Sequence, residues 1–331
     1  MATDLAVVAR LRAAGCVFAE DEARLLADAA GSPAELDTLV ERRVAGLPLE
    51  QVVGWAEFCG LRIFVDPGVF VPRRRSEFLV QTAVSLARRT SSVIVDLCCG
   101  TGALGVAVAA RFDGAELHAA DIDPAAVACA KRNVEPAGGR VYQGDLFTPL
   151  PATLRGRVTI LICNAPYVPS AEVGYLPAEA RDHEPLTALD GGRDGLAVLR
   201  RVAAEAPRWL APGGRLLVET SGRQAAAMRR AMTAAGLAVR VRGCETSGAT
   251  VVTAAHLVIP NGPGFLQDHH DSKGQRRPAS GQARGQAPPV SARRHHCQRH
   301  RGDGGAARHG PGHRVSGGAC PHSVRHRRDG G

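Results

Sequence analysis

The stretch Val158-Thr159-Ile160-Leu161-Ile162-Cys163-Asn164-Ala165-Pro166-Tyr167 joins a mostly apolar run to a short polar turn. The run, residues 158–163, is rich in β-branched side chains, which is typical of a buried strand. In an open α/β sheet, ligands bind in the crevice outside the carboxyl ends of the strands. We therefore expect the last four residues, Asn164 to Tyr167, to lie at a ligand-binding edge.

Strand-like and helix-like segments alternate on both sides of this stretch, from residue 92 onward. The other predicted strands are residues 93–97, 116–120, 140–143, 214–219, 238–241 and 250–255, and the predicted helices are residues 103–111, 124–133, 195–210 and 223–235. Strands separated by helices imply parallel crossovers. The sequence therefore predicts an α/β fold with a doubly wound, mostly parallel sheet of seven strands.

A glycine loop follows the first of these strands, in the segment Asp96-Leu97-Cys98-Cys99-Gly100-Thr101-Gly102. Gly100 and Gly102 allow a tight turn and a close approach of the backbone to a ligand, and the N–H groups at the next helix start supply donors. The loop is not a GxGxxG motif and lacks the P-loop lysine, which disfavours dinucleotides and nucleoside triphosphates. A tight turn without a ligand is the alternative interpretation.

Acidic residues after the next two strands strengthen the ligand interpretation. Asp121 ends the second strand, near the position where a doubly wound fold places an acid to bind ribose hydroxyls. The alternative role for Asp121 is to cap the next helix, but Asp123, directly before Pro124, is better placed to do so. Asp145 and Leu146 follow the third strand, where we expect them to meet the amino group and ring face of an adenine.

The tetrapeptide from Asn164 to Tyr167 suits methyl transfer to an amide or amino nitrogen. The Asn164 side-chain oxygen and the Ala165 carbonyl can accept the two N–H bonds of an NH2 group and aim its lone pair. Tyr167 can stack on a planar amide or base, and Pro166 stiffens the turn. Asn and Pro are also common in ordinary turns, which is the alternative explanation. The position after a glycine loop and a ribose acid favours methyl transfer.

The N-terminal part of the chain has a different pattern. Apolar residues recur at helical spacing over residues 3–45, and Ser32-Pro33-Ala34-Glu35 is typical of a helix start. We expect about three helices, then a β-hairpin, then a helix over residues 76–88. The predicted domains are a helical substrate-docking domain (1–46), a hairpin linker (47–75), a catalytic α/β domain (76–257) and a basic tail (258–331).

The net charge of +9 belongs to the tail. Residues 258–331 hold 13 Lys and Arg against 4 Asp, whereas residues 1–257 hold 28 basic and 28 acidic residues. A neutral body argues against nucleic-acid binding by the catalytic domain. The tail is dense in Gly, Pro, Arg and His and has no apolar period, so we expect it to be disordered. A functional basic arm, an extension without a role and an out-of-frame translation are its three possible explanations.

Cysteine and histidine usage predicts no metal site and a reducing compartment. In the tail, His295-His296-Cys297 with His300 has no partner pair at zinc-finger spacing. The cysteines of the body form no CxxC pair. The sequence shows no signal peptide and no apolar run of about 18 residues. A cytoplasmic location without membrane contact is therefore expected.

These segments together resemble the class I methyltransferases that use S-adenosylmethionine, and specifically the protein N5-glutamine methyltransferases that modify peptide chain release factors. The resemblance covers about residues 46–255. Besides the glycine loop, Asp121 and the tetrapeptide, it rests on Gly46-Leu47-Pro48, Phe58, Gly60-Leu61, Val71-Pro72-Arg73, Glu77, Glu184-Pro185, Ala188-Leu189, Gly191-Gly192, Asp194-Gly195-Leu196, Pro212-Gly213-Gly214 and Glu219.

The resemblance implies a Rossmann-like fold, a protein substrate, most simply a release factor, and a role for each site residue. Residues 98–102 would hold the methionine part and the ribose of S-adenosylmethionine, while the tetrapeptide would hold the acceptor glutamine amide. The implied cofactor-binding set is Cys98, Cys99, Gly100, Thr101, Gly102, Asp121, Asp145, Leu146 and Asn164. The implied catalytic set is Asn164, Ala165, Pro166 and Tyr167. No general base is required, because the methylated amide nitrogen is acidic enough to lose its proton to water.

Three departures from the usual family pattern bear on the substrate. Ala165 stands where the family usually has Pro, Cys98 replaces the first glycine of the loop, and Pro72-Arg73-Arg74-Arg75-Ser76-Glu77 replaces Pro-Arg-Pro-Glu-Thr-Glu. Cys98 is compatible with the loop if its φ is negative. The added positive charges of Arg74 and Arg75 are expected to change which surface docks.

Two alternatives stay open beside glutamine methylation. N-methylation of an exocyclic base amine in RNA or DNA uses the same tetrapeptide, and Arg73 to Arg75 could meet phosphate. A non-catalytic S-adenosylmethionine-binding protein is consistent with the changes at Ala165 and at Arg74-Arg75. The neutral body and the helical N-terminal part favour a protein acceptor, and the retained Asn164 and Tyr167 favour an enzyme.

Overall fold

Four helices begin the chain in the computed structural model, which describes residues 2–87 and 92–257. They are α1 (Ala2–Ala13), α2 (Ala19–Ala29), α3 (Pro33–Val44) and the short α4 (Leu49–Val53). Ser32 caps α3 by accepting a hydrogen bond from the Glu35 N–H at 3.2 Å, and Pro33 occupies its first turn. The three predicted helices are confirmed, whereas α4 lies in the segment predicted as a hairpin linker.

An antiparallel hairpin follows, made of β1 (Trp55–Phe58) and β2 (Leu61–Phe64). Its turn residues Cys59 and Gly60 have φ of 53° and 77°, as a two-residue turn of type I′ requires. Asn133 accepts the Phe64 N–H at 2.8 Å and donates to the Thr101 carbonyl at 2.9 Å. The hairpin is thereby tied to the glycine loop.

Seven strands within the described residues form the main sheet, after helix α5 (Glu77–Leu86). They are β3 (Val93–Leu97), β4 (Glu116–Asp121), β5 (Arg140–Gln143), β6 (Val158–Cys163), β7 (Leu210–Thr220), β8 (Leu237–Cys244) and β9 (Ala249–His256). Their order is β5-β4-β3-β6-β7-β9-β8. The five strands from β5 to β7 are parallel, and β9 runs antiparallel to both β7 and β8. The predicted doubly wound, mostly parallel sheet is confirmed.

The strand order reverses at β3 and β6. From β3 the chain first adds β4 and β5 on one side and then returns to place β6 on the other. In the parallel pairing of β3 with β6, Leu97 lies beside Cys163. The glycine loop, which follows Leu97, and the tetrapeptide, which follows Cys163, are therefore neighbours at the switch point where such folds bind ligands.

Helices cover both faces of the sheet. Helices α5, α6 (Ala103–Ala109) and α7 (Pro124–Val134) pack on one face, and α10 (Ala197–Trp209) and α11 (Ala225–Ala234) pack on the other. The short helices α8 (Ala178–His183) and α9 (Leu186–Leu189) lie in the connection between β6 and α10. Along β6, Ile160 and Ile162 enter one buried cluster, while Leu161 and Cys163 enter the other. This alternation between two cores is why the strand is apolar at nearly every position.

The structure differs from the predicted bounds mainly at β7, which begins at Leu210 rather than at residue 214. Its pairing with β6 shifts register between Val158 and Ile160, so the Pro212-Gly213 segment is accommodated as an irregularity of the strand. None of the helices within residues 2–87 and 92–257 is long and apolar enough to cross a membrane. The predicted tail, with its histidine cluster, lies outside the described residues.

Candidate active site

The glycine loop between β3 and α6 turns through three residues with positive φ. Cys98, Gly100 and Gly102 have φ of 53°, 54° and 77°. The negative φ under which Cys98 would fit the loop without strain is therefore not found, and a non-glycine residue in this conformation costs about 1–2 kcal/mol. One tertiary and one local hydrogen bond hold the turn: the Cys99 N–H donates to the Ala120 carbonyl at 3.1 Å, and the Gly102 N–H donates to the Cys99 carbonyl within the loop at 2.7 Å.

Asp96, at the end of β3, is buried next to this loop. Its Oδ2 accepts the Gly105 N–H at 2.8 Å, whereas its Oδ1 has no hydrogen-bond partner among the described residues. Burial raises the pKa of the Asp96 carboxyl to about 8. The Asp96 carboxyl therefore holds its proton near neutral pH.

Asp121 is held with both carboxylate oxygens in defined positions. Its Oδ2 accepts the Gly100 N–H at 2.8 Å and its Oδ1 accepts the Asp123 N–H at 3.0 Å. Asp123 caps α7 by accepting the Ala125 N–H at 2.8 Å, so the capping role falls to Asp123 as the sequence predicts. Each Asp121 oxygen keeps acceptor capacity, which suits two hydroxyl groups on a ribose.

A cavity opens beside the loop. We call it the donor cavity; among its lining residues are Phe58, Val69, Phe70, Pro72, Arg73, Ser76, Cys98, Cys99, Gly100, Thr101, Asp121, Ile122, Asp123, Ala126, Asn164, Pro166, Pro185, Thr187 and Ala188. Its walls join the predicted loop to the hairpin region, a contact that the sequence pattern did not indicate.

The residues predicted to meet adenine lie outside this lining. Asp145 pairs with Arg201 on α10, and Leu146 is buried in the core with φ of 50°. Their adenine contact stays a prediction. Ile122, which the sequence analysis did not single out, lines the donor cavity although it is 60% exposed. Ile122 directly follows Asp121, the residue expected to bind ribose. That position in the sequence could have indicated an apolar surface beside Asp121.

A second cavity adjoins the first and shares Phe70, Arg73, Asn164 and Ala188 with it. We call it the acceptor cavity; its lining is completed by Arg75, Ala165, Tyr167, Val168, Leu176, Pro177, Glu179, Ala180 and Leu189. Asn164 is thus in the wall between the two cavities. Pro166 faces the donor cavity, while Ala165 and Tyr167 face the acceptor cavity.

The side chain of Asn164 is oriented by Ser76, a buried residue that the sequence analysis did not assign to the site. The Asn164 Nδ2 lies 3.4 Å from Ser76 Oγ. With the nitrogen directed to Ser76, the amide oxygen is available to accept an N–H bond from an acceptor. Ser76 thereby connects the segment before α5 with the tetrapeptide.

The backbone of the tetrapeptide is fixed from its far side by Gln224. The Gln224 Nε2 donates to the Tyr167 carbonyl at 2.8 Å and to the Asp194 carbonyl at 2.9 Å. Gly195 packs so closely here that a Cβ would lie 2.2 Å from the Tyr167 carbonyl oxygen. Gly195 and the turn that contains Asn164 are therefore held rigidly against each other. No local sequence pattern indicated this role of Gln224.

Tyr167 shares a hydrogen-bond network with Arg75 and Glu219. Arg75 Nη2 donates to the Tyr167 hydroxyl at 2.6 Å, the hydroxyl donates to Glu219 Oε1 at 3.1 Å, and Arg75 Nε donates to the same oxygen at 3.2 Å. Burial and the neighbouring Glu219 raise the pKa of Tyr167. The hydroxyl consequently stays protonated near neutral pH.

Arg73 makes a matching ion pair on the other wall of the cavities. Its Nη2 donates to Glu184 Oε1 and Oε2, each at 2.6 Å, and Glu184 Oε1 also accepts the Val71 N–H at 3.1 Å. Arg75 is paired with Glu219 in the same way, and the expected effect of Arg74 and Arg75 on the docking surface stays a prediction. Within the described part of the chain, Arg74 has no ion pair, and it lies on a different surface beside Glu57 and Arg111.

Comparisons with known proteins agree with this geometry. The family model described as "Methyltransferase small domain" matches residues 60–179. A release factor glutamine methyltransferase from Gloeobacter violaceus is 41% identical over 196 residues, which cover 57% of this chain and 68% of the relative. One from Geobacter sulfurreducens is 40% identical over 183 residues, covering 55% of this chain and 63% of the relative, which is less than two thirds of its length.

A relative with another substrate is nearly as similar. The 4-amino-L-phenylalanine/4-methylamino-L-phenylalanine methyltransferase of Streptomyces pristinaespiralis is 36% identical over 203 residues, covering 60% of this chain and 69% of the relative. The predicted class of enzyme, a methyltransferase, is confirmed by all of these relatives. The chain belongs to the family of release factor glutamine methyltransferases.

Proposed function

We propose that this protein transfers a methyl group from S-adenosylmethionine to the side-chain amide nitrogen of a protein glutamine, and that the glutamine belongs to a peptide chain release factor. The observation that carries the proposal is the position of Asn164 in the wall shared by the donor and acceptor cavities. A group in that wall can hold an acceptor nitrogen at the boundary where a methyl group has to cross.

On the donor side, the residues present suit the cofactor. The backbone of Cys98 to Thr101 borders the donor cavity, and Gly100 faces open space, since a Cβ there would meet nothing within 4 Å. The two oxygens of Asp121 are oriented for ribose hydroxyls, and Ile122 offers an apolar surface next to them. S-Adenosylmethionine, when bound, supplies an electrophilic methyl group on its sulfonium.

On the acceptor side, Asn164 and Ala165 provide two oxygens for the two N–H bonds of a glutamine amide. Accepting both bonds directs the nitrogen lone pair toward the donor cavity. The Tyr167 ring, fixed through its hydroxyl, can stack on the planar amide. If S-adenosylmethionine binds in the donor cavity, it would supply the methyl group and leave as S-adenosylhomocysteine. Asn164 and Ala165 would hold the amide nitrogen, and the methylated amide would lose its proton to water, so no side chain has to act as base.

A small aromatic amine is the second candidate acceptor. The Streptomyces pristinaespiralis relative carries such an acceptor in its name and is 36% identical to this chain. An aryl amine also presents an NH2 group and a planar face to Asn164 and Tyr167. A base amine in nucleic acid is less well supported, because Arg73 and Arg75, which were expected to meet phosphate, are paired with Glu184 and Glu219.

The acceptor can be identified with methyl-labelled S-adenosylmethionine and three purified acceptors: a release factor, 4-amino-L-phenylalanine and transfer RNA. We expect label on the release factor, located by mass spectrometry on one glutamine. Replacing that glutamine by asparagine in the release factor should abolish labelling. Label on the aromatic amine or the RNA without label on the release factor would contradict the proposal.

A further inference from the structure

Arg75 stands at the acceptor cavity in an arrangement that belongs to this chain. The usual family pattern has Glu at this position, whereas here the guanidinium reaches two partners that are distant in sequence, Tyr167 and Glu219. Its Cζ also lies 5.8 Å from the centroid of the Tyr167 ring. One side chain thus contacts both the hydroxyl and the face of the tyrosine.

Glu219 explains why a cation is needed there. Its side chain is 2% exposed, and its Oε2 has no hydrogen-bond partner among the described residues. A buried carboxylate without a positive partner is strongly unfavourable. Arg75, whose own side chain is 49% exposed, compensates the charge while remaining at the cavity surface.

The ion pair between Arg75 and Glu219 is not an efficient way to stabilise the fold. Replacing a buried ion pair by apolar groups of similar volume is often neutral or stabilising. Stability alone therefore does not explain the contact between Arg75 and Glu219. What the pair adds here is geometry, because a planar guanidinium with a fixed fork of donors holds two partners in one orientation.

We propose that Arg75 is a positioning residue for methyl transfer: fixed on Glu219, it holds the Tyr167 hydroxyl and ring, and so sets the acceptor-side wall opposite Asn164. The proposal rests on the proposed function, in that Tyr167 is taken to contact the acceptor. It requires that loss of the network lowers acceptor use while leaving binding of S-adenosylmethionine unchanged, because Arg75, Tyr167 and Glu219 do not line the donor cavity.

The decisive variant is the double substitution Arg75→Met with Glu219→Gln. It removes both charges together, so no buried carboxylate is left unpaired, and we expect the variant to fold. We expect its kcat/KM for the acceptor to fall about 10- to 100-fold, the range for a misplaced substrate group, while the Kd for S-adenosylmethionine stays within twofold of the wild type. Arg74→Met, which removes the same charge one residue earlier, is the matched control and should keep the wild-type kcat.

A double variant that is folded and turns over at the wild-type rate would overturn the proposal, since the pair would then serve stability only. If the double variant does not fold, Arg75→Lys decides the question, because Lys keeps a positive charge beside Glu219 but lacks the fork. A roughly tenfold lower kcat/KM in Arg75→Lys supports positioning, and an unchanged value overturns it.

The wild-type enzyme separates this inference from the proposed function. If it methylates the aromatic amine or the RNA instead of a release factor, the proposed function fails, and the Arg75 variants are compared with the acceptor that was found. A fall in transfer to that acceptor still supports positioning by Arg75. Equal transfer by all variants overturns it, whichever acceptor the enzyme uses.

Discussion

The donor and acceptor cavities adjoin, yet they are built in different ways. In the donor cavity, the predicted cofactor-binding residues are the contiguous segment 98–101 and Asp121, which two neighbouring strands place side by side. The acceptor cavity depends on side chains that meet across long stretches of chain, such as Arg75 and Glu219. Backbone changes beside the donor cavity should therefore alter stability and cofactor affinity, whereas changes in the acceptor network should alter transfer alone.

The largest effect is expected for Gly102→Ala in the glycine loop. Gly102 has φ of 77°, and a Cβ there would lie 2.6 Å from Val134 Cγ2. Left-handed strain and overpacking together should cost about 3 kcal/mol of unfolding free energy and weaken S-adenosylmethionine binding at least about tenfold, since ordered backbone is the binding surface. Denaturant unfolding and calorimetric titration measure the two effects.

Gly114→Ala is the matched control for that change. Gly114 has φ of 67° but open space around its would-be Cβ, and it lies away from both cavities. We expect a cost of only about 1 kcal/mol from left-handed strain and an unchanged cofactor Kd. Equal losses in the two glycine variants would mean that the loop is not specially constrained.

Asp96 should make the ligand-free protein less stable as pH rises. The folded protein holds the Asp96 proton up to a pKa of about 8, whereas the unfolded chain releases it near the ordinary aspartate pKa of 3.8. The stability contributed by this protonated carboxyl is therefore full below pH 3.8 and is lost as the pH rises toward 8. Between pH 6 and 8 the Tm of the wild-type protein should fall. The Tm of the Asp96→Asn variant, which keeps an oxygen for the Gly105 N–H, should fall less. Parallel Tm curves for the two proteins would contradict this pKa.

Tyr167→Phe tests the acceptor side by removing one hydroxyl from the network. The ring is retained, but its hydrogen bonds to Arg75 and Glu219 are lost. We expect kcat/KM for the acceptor to fall about tenfold, as for a lost hydrogen bond to a charged group, with the Kd for S-adenosylmethionine unchanged. Tyr175→Phe, at a residue that is 87% exposed, should behave as wild type in the same assay. A matching loss of cofactor affinity in Tyr167→Phe would remove the distinction between the two cavities.

The smallest effect is expected for Cys98→Gly. Glycine relieves the strain of a φ of 53° but increases the entropy of the unfolded chain, so a net gain of about 0.5 kcal/mol should remain. Chemical denaturation measures it, with the cofactor Kd as control. A clear loss of stability would show that the Cys98 side chain contributes more through packing than its backbone costs.

Short contiguous sequence patterns predicted the glycine loop and Asp121 at the donor cavity. Long-range contacts determine the other features of the site. The strand ends at Asp121 and Cys163, with Asp123 as a cap, could be located because each depends on a few neighbouring residues. The positive φ of Cys98 could not be predicted in this way, since hydrogen bonds to Ala120 and across the loop impose it. The partners of Arg75 could not either, because Glu219 lies 144 residues away and only the fold brings its carboxylate to the cavity.

The central claim is that Asn164, in the wall between the cavities, holds the acceptor and contributes little to cofactor binding. Its most direct test is Asn164→Ala, assayed for both methyl transfer to a release factor and the Kd for S-adenosylmethionine. We expect at least about a hundredfold loss of transfer, since a group that orients the reacting nitrogen is removed, with the Kd within threefold of wild type. Transfer at the wild-type rate in that variant would contradict it.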